Sequence, residues 1–421
     1  MTEQASGRPF PSGDFSRFWR ARAAAGLGTY VTLLALQTLV VLTLDGTAQD
    51  VGWLNSARWL PYLVLGLVVG ALVDRCRRRP VMVATDLAQA ALLAAIPAAW
   101  LLDVLTMPLL LVLVAAYGTA SLVNGAAATS FVPRLVARDE LQRAHARLDG
   151  ADAVAQTAGP ALGGLLVRWI GPPLAVLLDA VTHLYAALAV ARLRTVEPVP
   201  APDPDTAPDA ARSVTREIRE GVRWVYRTSG LAVLAGATHV WFAANAVVGA
   251  VLAPYALLTL GLDALQLALA TALAGVGAVV GAVVTTAGGR RLGIGPAVIT
   301  AHVVTTVGVA VMLLAGVGTT GWAATAVLGV GQAFYGFGIG FGNSHEESYR
   351  QALTPDAMQG RTITTMRSAN RAVIVVVAPL GGLLADRAGD RFALGVAAAV
   401  FAVAVAVLAA SPFRRTRTVE P

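Results

Sequence analysis

The chain has 421 residues, of which 56% are hydrophobic and only 14% charged, whereas about 25% of the residues in typical soluble proteins are charged. This composition excludes intrinsic disorder for the bulk of the chain, because disorder requires low hydrophobicity, and it argues against a soluble two-domain enzyme. The formal net charge is +7, so the placement of the basic residues decides whether nucleic acid or membrane is the partner.

Two features of the composition exclude whole classes of function. All 32 basic residues are arginine, which removes the phosphate-binding Walker loop and any Schiff-base lysine. The one cysteine, Cys76, allows no disulfide framework and no cysteine-based zinc site. No nucleophile–histidine–acid cluster and no metal-ligand spacing is found, so we expect no enzyme activity, no metal and no cofactor.

Long apolar runs recur along the chain in the order expected of a membrane protein. A helix needs about 20 mostly apolar residues to cross a hydrocarbon layer. We place twelve spans near 22–44, 54–73, 81–102, 107–131, 147–168, 173–192, 231–258, 264–286, 294–315, 321–344, 359–384 and 392–411.

The arginines predict the orientation of these spans. If both termini are cytoplasmic, 28 arginines fall inside and only Arg58, Arg168, Arg387 and Arg391 fall outside. Positive charge concentrates on the cytoplasmic side of membrane proteins. The sequence therefore predicts a multi-pass protein of the cell membrane, and it favours the lipid bilayer over nucleic acid as the partner.

The longest gap between spans divides the chain into three predicted domains: 1–193, a linker at 194–229, and 230–421. Within the linker, Val196–Asp209 is rich in Pro, Asp and Ala and is typical of disorder. Ser213–Thr228 places Ile218, Val222 and Val225 on one helical face, which predicts an amphipathic helix on the inner leaflet. A solvated tether is the alternative.

The two halves repeat. Leu162-Gly-Gly-Leu-Leu166 returns as Leu380-Gly-Gly-Leu-Leu384, at an offset of 218 residues. Two six-span halves in parallel repeat, with a cleft at the bilayer midplane, are typical of transporters that alternate access.

The second gap reads Gly70-Ala-Leu-Val-Asp74-Arg75-Cys-Arg77-Arg78-Arg79. It resembles the signature loop of the major facilitator superfamily, Gly-x-Leu-x-Asp-Arg-x-Gly-Arg-Arg/Lys, with Arg77 in place of the second glycine. The resemblance implies an all-α integral membrane protein with 12 transmembrane helices in two pseudo-symmetric six-helix bundles.

Charged residues near the cytoplasmic ends of the spans are gating candidates. The loop arginines could pair with Asp74 or Asp86, and ion pairs that form in only one state bias a two-state interface. We also expect crossed pairs, Asp74 with Arg367 or Arg371, and Asp149 or Asp152 with Arg290 or Arg291. Alternatively, these charges only mark the aqueous helix ends. The full gating set is Gly70, Asp74, Arg75, Arg78, Arg79, Asp86, Asp149, Asp152, Arg290, Arg291, Arg367 and Arg371.

Span five contains Gly159, Pro160, Gly163 and Gly164, which resembles the Gly-Pro-x-x-Gly-Gly core of the antiporter signature in drug-exporting branches of the superfamily. The stretch Phe131–Arg194 resembles a subgroup containing siderophore and macrolide efflux proteins. A simple close-packed helix crossing is the alternative.

Polar residues deeper in the spans are candidates for proton coupling and for the substrate cleft. Asp179 and His183 lie one turn apart in span six and could exchange a proton near neutral pH; an ordinary hydrogen-bonded histidine is the alternative. The cleft candidates are Tyr30, Gln37, Asn124, Gln156, His239, Trp241, Asn245, Gln332 and Tyr335, each of which could instead only join helices. We expect His345-Glu346-Glu347 to be interfacial.

The sequence thus favours a secondary active exporter of small amphipathic molecules of the antibiotic, drug or siderophore type, driven by proton antiport. Its expected partners are a small-molecule substrate, protons and the lipid bilayer, and we expect a monomer. The alternatives are an importer of a small metabolite with the same fold, and a membrane sensor or scaffold that transports nothing.

Overall fold

The structure is a computed structural model that describes residues 13–74, 76–195, 197, 216, 219–228 and 230–417. Within these ranges, the side chains of residues 67, 68, 70, 71, 74, 356 and 357 are not described. Most of the disorder predicted for Val196–Asp209 therefore lies outside the described residues.

Twelve long helical segments follow one another in the described part of the chain. They are α1 (Gly13–Leu42), α2 (Ala48–Asp74), α3 (Arg78–Leu101), α4 (Met107–Leu135), α5 (Leu141–Ile170), α6 (Pro172–Ala175 and Leu177–Ala191), α7 (Ala232–Pro254, continued by a π-helical turn at Tyr255–Thr259), α8 (Ala264–Leu292), α9 (Ile294–Leu313), α10 (Gly321–Leu353), α11 (Asp356–Ala388) and α12 (Asp390–Ala410). Each contains the core of one predicted span, which confirms the prediction of an all-α membrane protein.

Ten of these helices are long and apolar enough to cross a membrane, counted over the described residues. The remaining two, α2 and α5, have 27 and 30 residues and so are also long enough to span. The first half of α5 carries Asp149, Asp152 and Gln156. Helices are the expected element here because each backbone N–H and C=O must be satisfied within its own segment when no water is present.

The described chain divides into two compact units. The N-terminal unit contains the chain up to Leu39 and Leu60–Thr206, and the C-terminal unit contains Val40–Trp59 and the chain from Ala207 onward, which includes the second part of the linker. The first turns of α2 therefore pack with the second unit, although they belong to the first half of the sequence. The predicted domain limits at 193 and 229 stay a prediction.

In the N-terminal unit, α3 packs against α4 and α6. An aromatic and aliphatic core lies at one end of this unit, where Phe15, Phe18, Met82 and Phe131 are fully buried. The ring centroids of Phe18 and Phe131 are 6.1 Å apart. The indole nitrogen of Trp19 donates to the carbonyl of Arg147 at 2.9 Å, which joins α1 to α5.

In the C-terminal unit, α8 and α10 make the closest helix crossing. A Cβ atom at Gly336 or Gly340 would overlap the carbonyl oxygen of Ala274 or Ala278. On α8, Gly277 and Gly281 likewise lie against the backbone of α10. Four-residue glycine spacing on both helices lets their backbones touch, which is how helices gain contact energy in lipid.

The linker segment next to α7 packs on protein. Gly221 lies against Thr365 and Arg361 of α11, and Arg361 donates to Glu220 at 2.6 Å. Val225, which we expected on the inner leaflet, is instead fully buried in a cluster with Ala235 and Met366. The expectation that Val225 lies on the inner leaflet is therefore wrong, because this side chain packs against α7 and α11 of the same chain. Val222 is exposed, and Ile218 lies outside the described residues.

The α8–α10 crossing leads to a stability prediction. We expect Gly336→Ala to lower the melting temperature of the detergent-purified protein by several degrees, because overpacking of this kind costs about 1–3 kcal/mol. The readout is thermal unfolding followed by tryptophan fluorescence. The matched control is Gly395→Ala in α12, where no atom lies within 4 Å of the added Cβ. Equal melting temperatures for the two variants would contradict the assignment of this crossing as the tight one.

Candidate functional site

Three ionisable side chains meet inside the N-terminal unit. Asp86 of α3, and Asp179 and His183 of α6, are all almost fully buried, with exposures of 2%, 0% and 3%. His183 Nδ1 lies 3.0 Å from Asp86 Oδ1, and His183 Nε2 lies 3.5 Å from Asp179 Oδ1. The imidazole therefore lies between two carboxylates, and we call these three residues the buried triad.

Neighbouring helices hold the buried triad in place. The Tyr117 hydroxyl of α4 approaches Asp179 Oδ2 at 3.5 Å, and the Thr182 hydroxyl donates to Asp179 Oδ1 at 3.3 Å. On α1, a Cβ at Gly28 would overlap the Asp179 and Thr182 side chains. Glycine at this position is therefore what allows α1 to approach the carboxylate.

The hydrogen bonding of the buried triad is incomplete. Although His183 Nε2 lies within ion-pair distance of Asp179, the geometry is not that of a hydrogen bond, and this nitrogen is buried without a hydrogen-bond partner among the described residues. Buried ionisable groups are costly in a low-dielectric interior and are expected to lie against partners, as these three do.

This geometry bears on one gating expectation. Asp86, one of the two carboxylates that could pair with the loop arginines, contacts His183 of α6 in the unit's interior. Pairing of the loop arginines with Asp74 or Asp86 stays a prediction. Asp179 and His183, which sequence spacing brought together, do lie together. Their proton-coupling role stays a prediction.

The signature loop is partly described. Gly70 and Asp74 lie in α2, the Asp74 side chain is not described, and Arg75 lies outside the described residues. The backbone N–H groups of Arg78 and Arg79 donate to the Glu197 carboxylate at 2.7 and 3.1 Å, and the Arg78 guanidinium lies 3.8 Å from it. Arg79 donates to the carbonyl of Ala191. A linker carboxylate thus caps the start of α3, where the helix dipole favours negative charge.

The antiporter-like stretch forms a close contact between α5 and α1. A Cβ added at Gly159 would overlap the Cβ of Tyr30. A Cβ added at Gly163 would lie 3.1 Å from the carbonyl oxygen of Val31. Gly164 is buried and Pro160 half-buried. This packing matches the helix-crossing alternative; an additional role in antiport stays a prediction.

The polar face of α5 runs along the same contact. The Tyr30 hydroxyl donates to Asp152 Oδ2 at 3.3 Å, while Asp149 and Gln156 are exposed. Two of the cleft candidates, Tyr30 and Gln156, thus share a side of the unit with the two gating carboxylates.

Sequence reasoning missed one arginine in α1. Arg22 donates to Asn124 Oδ1 of α4 at 2.7 Å, and the Asn124 amide donates to Thr85 of α3 at 2.9 Å. Asn124 is therefore part of a bridge among three helices. Gln37, further along α1, is half-buried. Arg22 lies at the start of span one, where an arginine indicates only the orientation of the span. Its partner on α4 is not apparent from the sequence.

The C-terminal unit contains a polar cluster among aromatic rings. The Tyr335 hydroxyl of α10 donates to Asn245 of α7. Trp241 stacks on Tyr335 with centroids 6.4 Å apart, and it meets the edge of Phe401 at 5.6 Å. Three cleft candidates are thus brought together in what we call the aromatic cluster. Gln332, by contrast, is buried and its amide contacts the sulfur of Met312.

His239 lies in a separate hydrogen-bond chain. The Tyr226 hydroxyl lies 2.6 Å from His239 Nε2, and His239 Nδ1 lies 2.6 Å from Asn370 Oδ1 of α11. Burial raises the pKa of the Tyr226 phenol, which keeps the phenol neutral. This chain ties the linker segment to α7 and α11.

A second histidine–carboxylate pair was not predicted. His302 Nε2 of α9 lies 3.0 Å from Glu346 Oε1 of α10, and Thr238 approaches the other oxygen at 3.4 Å. We expected His345 and Glu346 at the interface, but α10 continues to Leu353 and buries His345. His302 and Glu346 are 44 positions apart, so motif spacing could not reveal the pair.

The start of α2 is bound to α11 within the C-terminal unit. The Asp386 carboxylate accepts from the backbone N–H of Ala48 at 3.1 Å and of Gln49 at 3.2 Å. Gly52 and Gly382 bring the two backbones together. The Ser56 hydroxyl donates to the carbonyl of Val375 at 2.7 Å. A carboxylate at a helix N-terminus satisfies orphan N–H groups and complements the dipole.

The gating arginines differ in their surroundings. The Arg371 guanidinium lies 3.5 Å from the centroid of the Trp59 ring, a cation–π contact that extends the α2–α11 interface. Arg290, Arg291 and Arg367 are exposed. The pairs of Arg290 or Arg291 with Asp149 or Asp152, and of Arg367 or Arg371 with Asp74, stay predictions.

Twelve long helices, ten of them apolar enough to cross a membrane among the described residues, together with a sequence repeat and buried ionisable groups, are typical of a polytopic membrane transporter. The chain belongs to the Major Facilitator Superfamily, whose family model matches residues 19–376. The resemblance carried by the signature loop is thereby confirmed. With efflux pumps among its relatives, the chain is a transporter-family protein and not an enzyme.

Two named relatives are efflux proteins. Multidrug efflux pump Tap of Mycolicibacterium fortuitum is 30% identical over 220 residues, 51% of this chain and 53% of that protein. Macrolide efflux protein A of Streptococcus pyogenes is 24% identical over 228 residues, 52% of this chain and 53% of that protein. The chain spans about half the length of the curated relatives it matches.

Solved structures share the fold at low identity. A bacterial homologue of the iron transporter ferroportin in an inward-facing state aligns with a TM-score of 0.71 at 16% identity, covering 94% of this chain and 98% of that one. The nucleoside transporter NupG aligns with a TM-score of 0.76 at 10% identity, covering 94% and 98%. These likenesses support the fold and no particular substrate.

The α2–α11 contact leads to a second stability prediction. We expect Asp386→Ala to lower the melting temperature by about 2–4 °C, because losing a helix N-terminal carboxylate costs about 1 kcal/mol. Asp139→Ala removes the same charge from an exposed site and should leave the melting temperature unchanged. Equal melting temperatures for the two variants in the same detergent would show that the contact does not stabilise the protein.

Proposed function

We propose that this protein exports small amphipathic molecules of the antibiotic, drug or siderophore type by proton antiport with alternating access. The names of the relatives support the direction of transport. The family alone specifies neither the substrate nor the coupling ion. The buried triad and the aromatic cluster support the proposal.

The buried triad is the observation that carries the proposal. Its imidazole has one nitrogen bonded to Asp86 and the other buried beside Asp179 without a hydrogen bond. Three ionisable side chains that share one buried site are the groups in this unit best suited to carry a proton. Such a group couples proton movement to transport if protons reach it from opposite sides of the membrane at different stages of the transport cycle.

The aromatic cluster is our candidate for substrate contact. Trp241, Tyr335 and Phe401 offer ring faces and edges, and Asn245 adds a polar group. Aromatic side chains with few charges suit an apolar or weakly charged molecule. A sugar phosphate would call for buried arginines to bind it.

The proposal includes a location and an orientation. The chain is a multi-pass membrane protein, and we place it in the plasma membrane as a monomer with both termini in the cytoplasm. The distribution of arginine supports this orientation. The α2–α11 contact with Asp386, and the loop arginines with Glu197, are our candidates for interactions that differ between conformational states.

The coupling role can be tested in proteoliposomes with an imposed pH gradient. A fluorescent dye, a macrolide and a siderophore are the probes. We expect the unmodified protein to accumulate at least one probe against its gradient. Asp179→Asn should abolish this accumulation while retaining probe counterflow, because exchange at equal pH needs no net proton movement. Asp139→Asn is the matched control and should retain both activities.

Three results would count against parts of the proposal. Unchanged gradient dependence in Asp179→Asn removes this carboxylate from coupling. Uptake in the direction of the proton gradient indicates an importer. Loss of counterflow together with an unchanged melting temperature assigns Asp179 to substrate binding instead.

The native cysteine tests the orientation. Cys76 is the one cysteine in the sequence, lies beside Arg77 between α2 and α3, and is half-buried. A membrane-impermeant maleimide should label it in inside-out vesicles and leave it unlabelled in intact cells. The control is Asp103→Cys in a Cys76→Ser background, which places the thiol in the α3–α4 loop and should reverse the labelling. Labelling of Cys76 in intact cells would invert the proposed topology.

A further inference from the structure

A basic cavity with a volume of about 660 Å³ lies between the beginning of α3 and the end of α6 in the N-terminal unit. Its polar wall contains Arg77, Arg79, Arg194 and Glu197. Neither the buried triad nor the aromatic cluster shares any of these residues. The cavity therefore needs its own explanation.

The charges in the cavity do not cancel. Glu197 is engaged by the Arg78 guanidinium and by the backbone amides of α3. Arg77 and Arg194 are exposed, and the described residues give neither guanidinium a carboxylate partner. A second carboxylate, Asp14, accepts from the backbone N–H groups of Arg194 and Thr195 beside the cavity. The charged side chains of the lining itself, three arginines and one glutamate, leave a net positive charge that would attract an anion.

Part of the cavity lining is apolar. Val83 and Leu87 lie one turn apart on α3, with Ala84 between them, and Leu87 is 45% exposed. These side chains belong to a helix that is long and apolar enough to cross the membrane, so the wall offers an aliphatic surface to an acyl chain. A site with guanidinium groups at one end and an aliphatic wall along a helix matches a molecule with an anionic head and an acyl chain.

We propose that this cavity binds an anionic phospholipid, with the phosphate at Arg77 and Arg194 and an acyl chain along Val83 and Leu87. Basic pockets between membrane helices bind anionic headgroups in this way. The apolar wall favours a lipid over free inorganic phosphate, which would leave Leu87 without a contact. Because Glu197 holds the start of α3 beside this site, the lipid would lie directly against the signature loop.

Binding can be measured with the full-length protein in detergent micelles, by titration with a fluorescent phosphatidylglycerol and separately with the matching phosphatidylcholine. We expect preference for phosphatidylglycerol. We expect Arg77→Ala with Arg194→Ala to weaken its binding about 25-fold, since each arginine contributes roughly fivefold to anionic lipid binding. Arg387→Ala with Arg415→Ala makes the same change in net charge at exposed positions elsewhere and should have little effect.

Two further arms separate a lipid from free phosphate and from misfolding. Leu87→Asn, at an exposed position, should weaken lipid binding without lowering the melting temperature, and inorganic phosphate at equal concentration should not displace the lipid. Equal affinity for the two lipids, or equal loss in the control pair, overturns the proposal. Complete displacement by inorganic phosphate, with Leu87→Asn unchanged, shows that the cavity binds phosphate and that the lipid proposal is wrong. A lowered melting temperature with unchanged lipid affinity assigns Arg77 and Arg194 to stability and also overturns it.

Discussion

A hydrogen-bonding or charged group inside the hydrocarbon layer must find its partner within the protein, since no water is there to supply one. This constraint accounts for the helices, whose backbone groups bond within each segment. It also accounts for the polar side chains, which meet others across helix contacts. The buried triad, the Arg22–Asn124 bridge and the His302–Glu346 pair each join residues of different helices.

Close approach of helices makes these partnerships possible. Gly28 lets α1 reach Asp179, Gly159 lets α5 reach α1, and Gly336 lets α10 reach α8. In lipid, apolar side chains gain little by associating with one another rather than with acyl chains, so small residues and direct backbone contact carry the packing. The same glycines therefore support both stability and the placement of ionisable groups.

The ionisable groups fall into two physical classes. Asp86, Asp179 and His183 are buried with one another inside the N-terminal unit. Asp386 and Glu197 lie instead at helix starts, where backbone N–H groups bind them. The first class contains our proposed proton-coupling residues, and the second contains our candidates for contacts that differ between conformational states.

The sequence by itself determined the number and order of the helices, the family and the apolar character of the chain, because hydropathy and motif spacing are local properties. It also brought Asp179 and His183 together, because four residues make one helical turn. Only the tertiary structure decided that Asp86 contacts His183, that Val225 is buried, and that the start of α2 packs on α11. Those outcomes depend on the rotation of each helix about its axis and on contacts between residues as many as 338 positions apart, which hydropathy and motif spacing do not specify.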